Sequence, residues 1–377
     1  MTGMISSLVE SLLDPLTWIT VPFHFWTAVS FLLGGIVGSF LNVCIHRLPR
    51  QESLWRPGSH CPHCGTAIPW RLNLPMVSWL WLRGRCAFCG GPISARYLAV
   101  EVLTAVLFAV CWVVFGGSSV GLALAYGVLL SGLLTATVID AQHFIIPDQI
   151  TLGGIVAGIG FSFIIPELHG ETAPAAALGR SLVGAALGGG IIYTVIRVGK
   201  VFLGRHALEL APGSKVCFGE GSLILPDREI PYEELLYRRT DCIRLGADRV
   251  EMVDRCYWNV VVEVTREHVR VGSDEYAFAD IPGFEVVTAR VVLPREVMGQ
   301  GDVKFMAAIG AFLGWQAVIF SLITSALIGS LVGLTLIALR RHARGAPMPY
   351  GPFLALGAAI WVFAGPSILR WWLGPGP

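Results

Sequence analysis

The sequence predicts a polytopic α-helical membrane protein with about eight transmembrane helices, a cytoplasmic zinc-binding loop and an inserted small β-rich cytoplasmic domain. Of its 377 residues, 54% are hydrophobic and only 14% are charged, and the mean hydropathy is +0.66. Soluble domains average about 25% charged residues, so most of this chain is expected to lie in lipid. The net charge of +1 is too small to indicate a nucleic-acid partner, and we expect none.

Eight apolar runs are candidates for membrane crossings, each of which takes about 20 residues of helix. The runs lie at about 25–45, 97–115, 120–139, 150–165, 181–198, 303–313, 317–339 and 353–369. The sixth run is short for a crossing and could be a tilted or partly re-entrant helix, so seven crossings would also fit. Eight is the better count, because it places all the basic loops on one side of the membrane.

Lysine and arginine are concentrated in the loops that follow the first, fifth and seventh runs. They are Arg47, Arg50, Arg56, Arg71, Arg83, Arg85 and Arg96, then Arg197, Lys200 and Arg205, and finally Arg340, Arg341 and Arg344. The loops at 116–119, 166–176 and 314–316 contain none. Because cytoplasmic loops accumulate these residues, the basic loops are expected in the cytoplasm.

These crossings divide the chain into six predicted parts. In order they are an N-terminal periplasmic or interfacial segment (1–24), the first transmembrane helix (25–45), a cytoplasmic loop domain (46–96), transmembrane helices two to five (97–198), an inserted cytoplasmic domain (199–298) and transmembrane helices six to eight (299–377). Within the insertion, the stretches 258–265 and 268–278 alternate apolar and polar residues, as half-buried strands do. The insertion is therefore expected to be β-rich.

Four of the nine cysteines form two CxxC pairs with the spacing C-x2-C-x21-C-x2-C, at Cys61, Cys64, Cys86 and Cys89. Four thiolates complete a tetrahedral shell and leave no open coordination position, so the pattern predicts a structural zinc ion. Reduced free thiols or redox-active pairs are the alternative. The other five cysteines have no paired spacing and are expected to be buried small hydrophobic residues.

Two aspartates stand at the edges of apolar runs on the same predicted membrane face. Asp140 ends the third run, and Asp302 precedes the sixth. Ionisable residues at such positions are functional candidates, and two carboxylates that the fold brings together would suit acid/base hydrolysis. Each has a structural alternative, because a carboxylate at a helix end can face water and an aspartate before a helix can cap it.

Asp302 lies in the motif Gly-Gln-Gly-Asp-Val-Lys, in which the glycines permit an unusual backbone path. The residues that support the two aspartates are Gly299, Gly301 and Lys304 in this motif, together with Asp148 shortly after Asp140. For Asp148, which follows a proline and precedes an apolar run, the pattern favours a helix N-cap over catalysis.

With two further stretches, 38–49 and 95–101, these motifs resemble in their order the type IV prepilin peptidases, membrane aspartic peptidases of the GxGD kind. The resemblance covers most of the chain except about 200–298. It implies an enzyme of the bacterial cytoplasmic (inner) membrane in which Asp140 and Asp302 cleave the leader peptide of type IV prepilins or type II secretion pseudopilins at the cytoplasmic face. Some members of that family lack the cysteines, which argues against a direct part for them in proteolysis.

The resemblance also implies a second activity, methylation of the new N-terminal amine with S-adenosylmethionine as the methyl donor. Glu101 and Asn42 are the candidates for the cofactor side of the site. Their structural alternatives are an ion pair between Glu101 and an arginine such as Arg96 or Arg47, and a polar helix–helix contact made by Asn42.

Two other functional classes compete with the peptidase. A cation transporter or channel could use carboxylates at the membrane edge, but the sequence shows no inverted repeat and no paired broken helices. A zinc-bearing membrane scaffold without catalysis would leave the glycine–aspartate motif unexplained. The motif therefore favours the peptidase over either class.

Overall fold

The computed structural model describes residues 22–203, 205–219, 221–236, 241–281, 283–294, 299–339 and 348–373. The chain forms two compact units, one made by Met1–Ile192 with Gln300–Pro377 and the other by Tyr193–Gly299. The first unit is helical, and the second contains a β-sheet. All but the last three residues of the predicted segment 1–24 lie outside the described residues.

Every apolar run is helical, and two short helices lie elsewhere. The helices are α1 (Phe23–Arg47), α2 (Val77–Trp81), α3 (Ala95–Cys111), α4 (Val120–His143), α5 (Asp148–Ile164), α6 (Pro174–Leu203), α7 (Tyr232–Leu235), α8 (Gln300–Ala338) and α9 (Gly351–Leu373), with a π-helical turn at Trp112–Gly116 extending α3. Several helices run a few residues past the predicted bounds, because polar residues such as Arg47 and His143 continue the helical turns beyond the apolar run.

Five stretches of the described chain are long and apolar enough to cross a membrane. They are Phe23–Arg50, Ala95–Gly116, Val120–His143, Pro174–Gly199 and Gln300–Ala338. Two further helices, Asp148–Ile164 and Gly351–Gly365, are apolar but shorter. The chain is therefore a multi-pass membrane protein.

Helix α8 turns sharply at Gly314, where φ is 79° and ψ is 176°, a conformation that essentially only glycine adopts. A Cβ built on Gly310 would lie 3.0 Å from Cγ2 of Val318. In a straight helix, residues eight apart are separated by about 12 Å along the axis. The two halves of α8 therefore fold back on each other, and they correspond to the separate apolar runs at 303–313 and 317–339.

A serine hydroxyl from a neighbouring helix compensates for this turn. The carbonyl groups before a helix break lose their intrahelical partners, and such groups are costly when left unpaired in a membrane. Ser181 Oγ of α6 donates to the carbonyl oxygen of Ala311 at 2.8 Å. Ser162 Oγ of α5 lies 3.4 Å from the same oxygen, but its one proton is closer to the carbonyl oxygen of Gly158, at 2.6 Å. The hydrogen bond that stabilises the turn thus comes from α6.

Small residues let α5 and α6 approach the first half of α8 closely. Gly184 and Gly188 of α6 lie directly against backbone carbonyl oxygens of α8, and a Cβ built on Gly158 of α5 would lie 2.8 Å from the Cβ of Ala311. Such contacts are what association of membrane helices depends on, because burial in lipid supplies no driving force between them. They fix the half-helix that carries Asp302.

Helices α1 and α3 are closely packed antiparallel neighbours. A Cβ built on Gly34 would lie 2.7 Å from Cα of Ala105, and one built on Gly38 would lie 2.8 Å from Cα of Glu101. Moving four residues forward along α1 thus matches four residues backward along α3. The end of α1 and the start of α3 therefore lie at the same level of the membrane.

The second unit confirms the predicted β-rich insertion. Its strands are β1 (Arg205–Glu209), β2 (Lys215–Phe218), β3 (Ser222–Ile224), β4 (Glu229–Pro231), β5 (Ile243–Glu251), β6 (Cys256–Val264), β7 (His268–Val271), β8 (Asp274–Ala277), β9 (Phe284–Val287) and β10 (Arg290–Pro294). They form an antiparallel sheet in the order β4-β3-β2-β9-β5-β6-β7-β8, in which β10 pairs with both β5 and β1. Alternate residues, such as Ile243, Leu245 and Ala247, enter one apolar core.

Candidate active site

Asp140 lies in the last turn of α4 and is only 6% exposed. Its Oδ2 accepts a hydrogen bond from the backbone N–H of Gly351 at 2.8 Å. Gly351 is the first residue of α9, and the first N–H groups of a helix have no partner within that helix. The carboxylate of Asp140 thus supplies one of the acceptors that the start of α9 needs.

Asp302 is the third residue of α8 and is 8% exposed. The preceding residue, Gly301, lies against Ile146, because a Cβ built on Gly301 would be 3.1 Å from Cβ of Ile146. The same isoleucine lies against Gly351, because a Cβ built on Gly351 would be 3.2 Å from Cδ1 of Ile146. The segment that carries Asp302 and the residue bonded to Asp140 therefore contact one side chain.

Tyr350 provides a second link between the two aspartates. It immediately precedes Gly351, the donor to Asp140, and its hydroxyl is 2.7 Å from Oγ of Ser325. Burial raises the pKa of Tyr350, the hydrogen bond with Ser325 opposes that shift, and the negative charge of Asp302 raises the pKa further. Tyr350 therefore lies within electrostatic reach of Asp302 while its neighbour holds Asp140.

An ion pair joins the two supporting charged residues at the edge of this region. Lys304 Nζ lies 2.7 Å from Oδ1 of Asp148. The N-cap of α5 is Pro147, and Asp148 is the first helical residue, with no side-chain cap hydrogen bond at this helix start. Asp148 thus ties the start of α5 to the first turn of α8 through Lys304, where the sequence predicted a cap.

An apolar cavity of about 200 Å³ adjoins the half-helix that carries Asp302. It lies among α1, α4, α5 and α8, and its walls include Leu41, Leu133, Thr135, Phe305, Ile309 and Phe312. Phe305 is one turn along α8 from Asp302. Neither aspartate lines the cavity, so an apolar group bound in it would lie about one helical turn from Asp302.

Asn42 and Glu101 are both buried and both hydrogen-bonded within the protein. Asn42 Nδ2 donates to the carbonyl oxygen of Tyr97 at 2.9 Å, which is the helix–helix contact given above as its structural alternative. Glu101 Oε2 accepts from the backbone N–H of Met76 at 2.7 Å, rather than from an arginine side chain. Their part in cofactor binding stays a prediction.

The four paired cysteines form one cluster in which the sulfur atoms all lie within 4.8 Å of one another. Sγ of Cys61 is 3.8 Å from Sγ of Cys89. A tetrahedral zinc ion with Zn–S bonds of about 2.3 Å would separate its ligand sulfurs by about 3.8 Å. In each pair the following glycine, Gly65 or Gly90, has a positive φ and donates its N–H back to the carbonyl oxygen of the first cysteine. The cluster therefore fits a zinc ion.

Sequence reasoning missed Tyr350, Gly351 and Ile146. The available signal was the run Pro-Tyr-Gly-Pro at 349–352, since two prolines flanking a glycine mark a turn immediately before the last apolar run. Proline is also compatible with the first turn of a helix, where its missing N–H costs nothing. Nothing in the local pattern, however, indicates that this helix start meets an aspartate 211 residues earlier in the chain.

Two family models match the chain. The model of the bacterial peptidase A24 N-terminal domain matches residues 32–115, and the model of the type IV leader peptidase family matches residues 127–211 and 273–334. The second match contains both aspartates and omits most of the inserted sheet. The first match contains the four paired cysteines.

Curated relatives share the same printed name, prepilin leader peptidase/N-methyltransferase. The relative from Aeromonas hydrophila is 30% identical over 382 residues, which cover 94% of this chain and 95% of the relative. The relative from Pectobacterium carotovorum is 29% identical over 357 residues, which cover 89% of this chain and 92% of the relative. One from Myxococcus xanthus is 48% identical over 133 residues, 35% of this chain. No solved structure matches the chain.

Proposed function

This chain belongs to the type IV leader peptidase family, and from this premise we propose that Asp140 and Asp302 are the catalytic pair of a membrane aspartic endopeptidase. The enzyme cleaves the leader peptide from type IV prepilins or type II secretion pseudopilins. The observation that carries the assignment is that the segments holding the two buried aspartates meet at Ile146, which lies against Gly301, next to Asp302, and against Gly351, the hydrogen-bond donor to Asp140. Family membership decides against a cation transporter or channel.

The two carboxylates divide the work of hydrolysis. One, ionised, takes a proton from a water molecule as the water oxygen bonds to the scissile carbonyl carbon. The other, protonated, gives its proton to the departing amine as the C–N bond breaks. The Gly351 N–H keeps the Asp140 carboxylate in one orientation throughout, and the cavity beside Phe305 would receive an apolar side chain of the substrate near the cut.

The membrane topology that suits this reaction has eight crossings. We infer that the two halves of α8, on either side of the turn at Gly314, each cross the membrane. We infer that the shorter apolar helices α5 and α9 cross it as well. With the basic loops in the cytoplasm, Asp140 at the end of α4 and Asp302 at the start of α8 both face the cytoplasmic side of the inner membrane. A substrate with an apolar helix could then be cut at the surface without leaving the bilayer.

The second activity is methylation of the amine that cleavage releases, as in the printed names of the relatives. S-adenosylmethionine, when bound, would supply an electrophilic methyl group. Asn42 and Glu101 are the residues proposed to hold it. In favour of Asn42, its Oδ1 is buried and has no hydrogen-bond partner among the described residues. Glu101 already uses one carboxylate oxygen on Met76.

The test of the proposed function is a cleavage assay with the purified full-length protein in detergent. The substrate is a synthetic type IV prepilin that retains its leader, and mass spectrometry reads both the loss of the leader and any methyl group added when S-adenosylmethionine is present. We expect the leader to be removed and one methyl group to be added to the new N-terminus. Well-folded protein that leaves several prepilins uncut would contradict the proposed function.

The cysteine cluster is proposed to hold a structural zinc ion, which should be detectable by elemental analysis. We expect about one zinc per chain in the wild type, because four thiolates close one tetrahedral shell. Cys61→Ser should lose most of the metal and lower the melting temperature, since the buried sulfur of Cys61 is one of the four ligands. Cys256→Ser, at an exposed cysteine in β6, is the matched control and should keep its zinc. Equal zinc in both variants would argue against the site.

A further inference from the structure

The loop that carries the cysteine cluster also presents an apolar helix face outward. In α2, Val77, Leu80 and Trp81 are 53%, 60% and 83% exposed, and positions i, i+3 and i+4 share one face of a helix. The opposite side holds Trp79, whose Nε1 donates to the carbonyl oxygen of Ile93 at 3.3 Å. The helix therefore buries its other side in the loop and leaves an aliphatic and aromatic face uncovered, the reverse of a helix on a soluble surface.

The contacts of Met76, immediately before α2, place this helix beside the transmembrane helices. The backbone N–H of Met76 donates to Oε2 of Glu101 in α3. Its Cε lies 2.9 Å from a Cβ built on Gly35, in the middle of α1. Gly35 precedes the end of α1 at Arg47 by 12 residues, or about 18 Å of helix. Half the hydrocarbon core is about 15 Å thick, so the loop reaches well down along α1.

The backbone at Met76 is held in an unfavourable conformation at this point. Its φ is 61°, which is uncommon for a residue with a side chain. Glu101 is buried and its hydrogen bond to Met76 spans two segments that are 25 residues apart. A strained residue persists where its surroundings fix it, and here they fix the loop against α1 and α3.

We propose that residues 74–82 form a lipid-facing re-entrant segment, which lies in the leaflet where α1 ends and holds the cysteine loop against the membrane. Its occupant is the bilayer itself. The apolar face of α2 meets acyl chains, and Trp81 lies towards the headgroups, where tryptophan is favoured. The inference does not depend on the peptidase activity.

Two observations favour lipid as the occupant. The apolar face continues a lipid-facing surface, since Ile36, next to Gly35, is exposed on α1. The charged residues that flank the segment are all basic and exposed, namely Arg71, Arg83 and Arg85. Basic residues beside a membrane-buried segment are attracted to anionic headgroups, by about 1 kcal/mol each. A protein partner would have to reach this face between the transmembrane helices and the lipid.

Photolabelling from within the membrane tests the proposal. The full-length protein is reconstituted into vesicles of phosphatidylcholine and phosphatidylglycerol that contain a lipid with a diazirine in its acyl chain, and adducts are mapped by mass spectrometry after illumination. We expect adducts on residues 74–82 and none on the hairpin around Val253, which is 84% exposed in the β-sheet unit. In a parallel sample, hydroxyl radicals generated in the water oxidise the residues that water reaches. The proposal would be overturned if residues 74–82 carried no acyl-chain adducts and were oxidised as strongly as Val253.

The same vesicles, with added prepilin, distinguish lipid from substrate. The added prepilin carries a photoreactive amino acid in its apolar helix. Lipid adducts to residues 74–82 that persist at saturating prepilin support lipid as the occupant. Loss of those adducts, together with cross-links from the prepilin's own photoreactive residue to residues 74–82, would overturn the proposal and assign the face to the substrate.

A conservative substitution provides a second readout that does not risk the fold. Brominated lipid quenches tryptophan fluorescence by contact with the acyl chains. Trp81→Phe is expected to lower the quenchable fluorescence, whereas Trp258→Phe, at an exposed tryptophan of β6, should leave it unchanged. Equal quenching of wild type and Trp81→Phe would also count against the lipid contact.

Discussion

Asp302→Asn is expected to reduce the rate of leader cleavage by about 100- to 10,000-fold, the range that a positioned acid or base contributes. Asp140→Asn should have an effect of the same size. Asparagine has nearly the shape of aspartate, and at position 140 its amide oxygen can still accept the N–H of Gly351. The fold should therefore survive while the exchangeable proton is lost. Cleavage of a synthetic prepilin, measured as kcat and KM, provides the readout.

The matched control for both aspartate variants is Asp254→Asn. Asp254 has a highly exposed side chain in the hairpin between β5 and β6, where it forms a surface ion pair with its neighbour Arg255. Its replacement should leave kcat, KM and the melting temperature unchanged. If either Asp140→Asn or Asp302→Asn cleaved at a rate close to this control, the catalytic assignment of that residue would be wrong.

Gly351→Ala is expected to impair cleavage nearly as strongly, although it adds only one methyl group. A Cβ at this position would lie 2.7 Å from Oδ2 and 3.2 Å from Cγ of Asp140. The start of α9 or the carboxylate must shift, and a displacement of about 1 Å in a catalytic group can cost about 100-fold in rate. The loss should appear in kcat rather than in KM, because the methyl group displaces the acid and not the apolar walls around Phe305.

Gly160→Ala is the corresponding control, because a Cβ at Gly160 in α5 would meet nothing within 4 Å. It should fold normally and cleave at the wild-type rate. Thermal denaturation of both variants separates a local effect from general destabilisation. Near-normal kcat for Gly351→Ala, at an unchanged melting temperature, would show that the contact between Asp140 and α9 is not needed for the reaction.

Most of the membrane architecture could be predicted from the sequence because it depends on short-range pattern. Apolar runs indicate where helices lie. The break between the runs 303–313 and 317–339 separates the two halves of α8, and a single residue in that break, Gly314, makes the turn. The paired cysteines were predictable for the same reason, since each CxxC pair and its glycine form a local turn. The alternation in 258–265 likewise predicted strand β6.

The contacts that build the site depend on long-range packing, and no local pattern specifies them. Lys304 and Asp148 are 156 residues apart in the chain. Asp148 was predicted as a helix cap, and whether a carboxylate caps its own helix or pairs with another depends on which helix packs beside it. The order of the strands shows the same limit, since β5 pairs with β6, β9 and β10.

The turn at Gly314 has a consequence for the thickness of the surrounding bilayer. The first half of α8, from Gln300 to the turn, is about 20 Å long at 1.5 Å per residue, whereas the hydrocarbon core of a membrane is about 30 Å thick. In the proposed topology this half-helix is a short span, and such a span is accommodated by local thinning of the lipid or by a polar recess at one end. Asp302 lies at the end where α8 begins. Thinning or a recess at that end would bring the aqueous phase to the carboxylate, so the water that peptide hydrolysis consumes would have a shorter path to it.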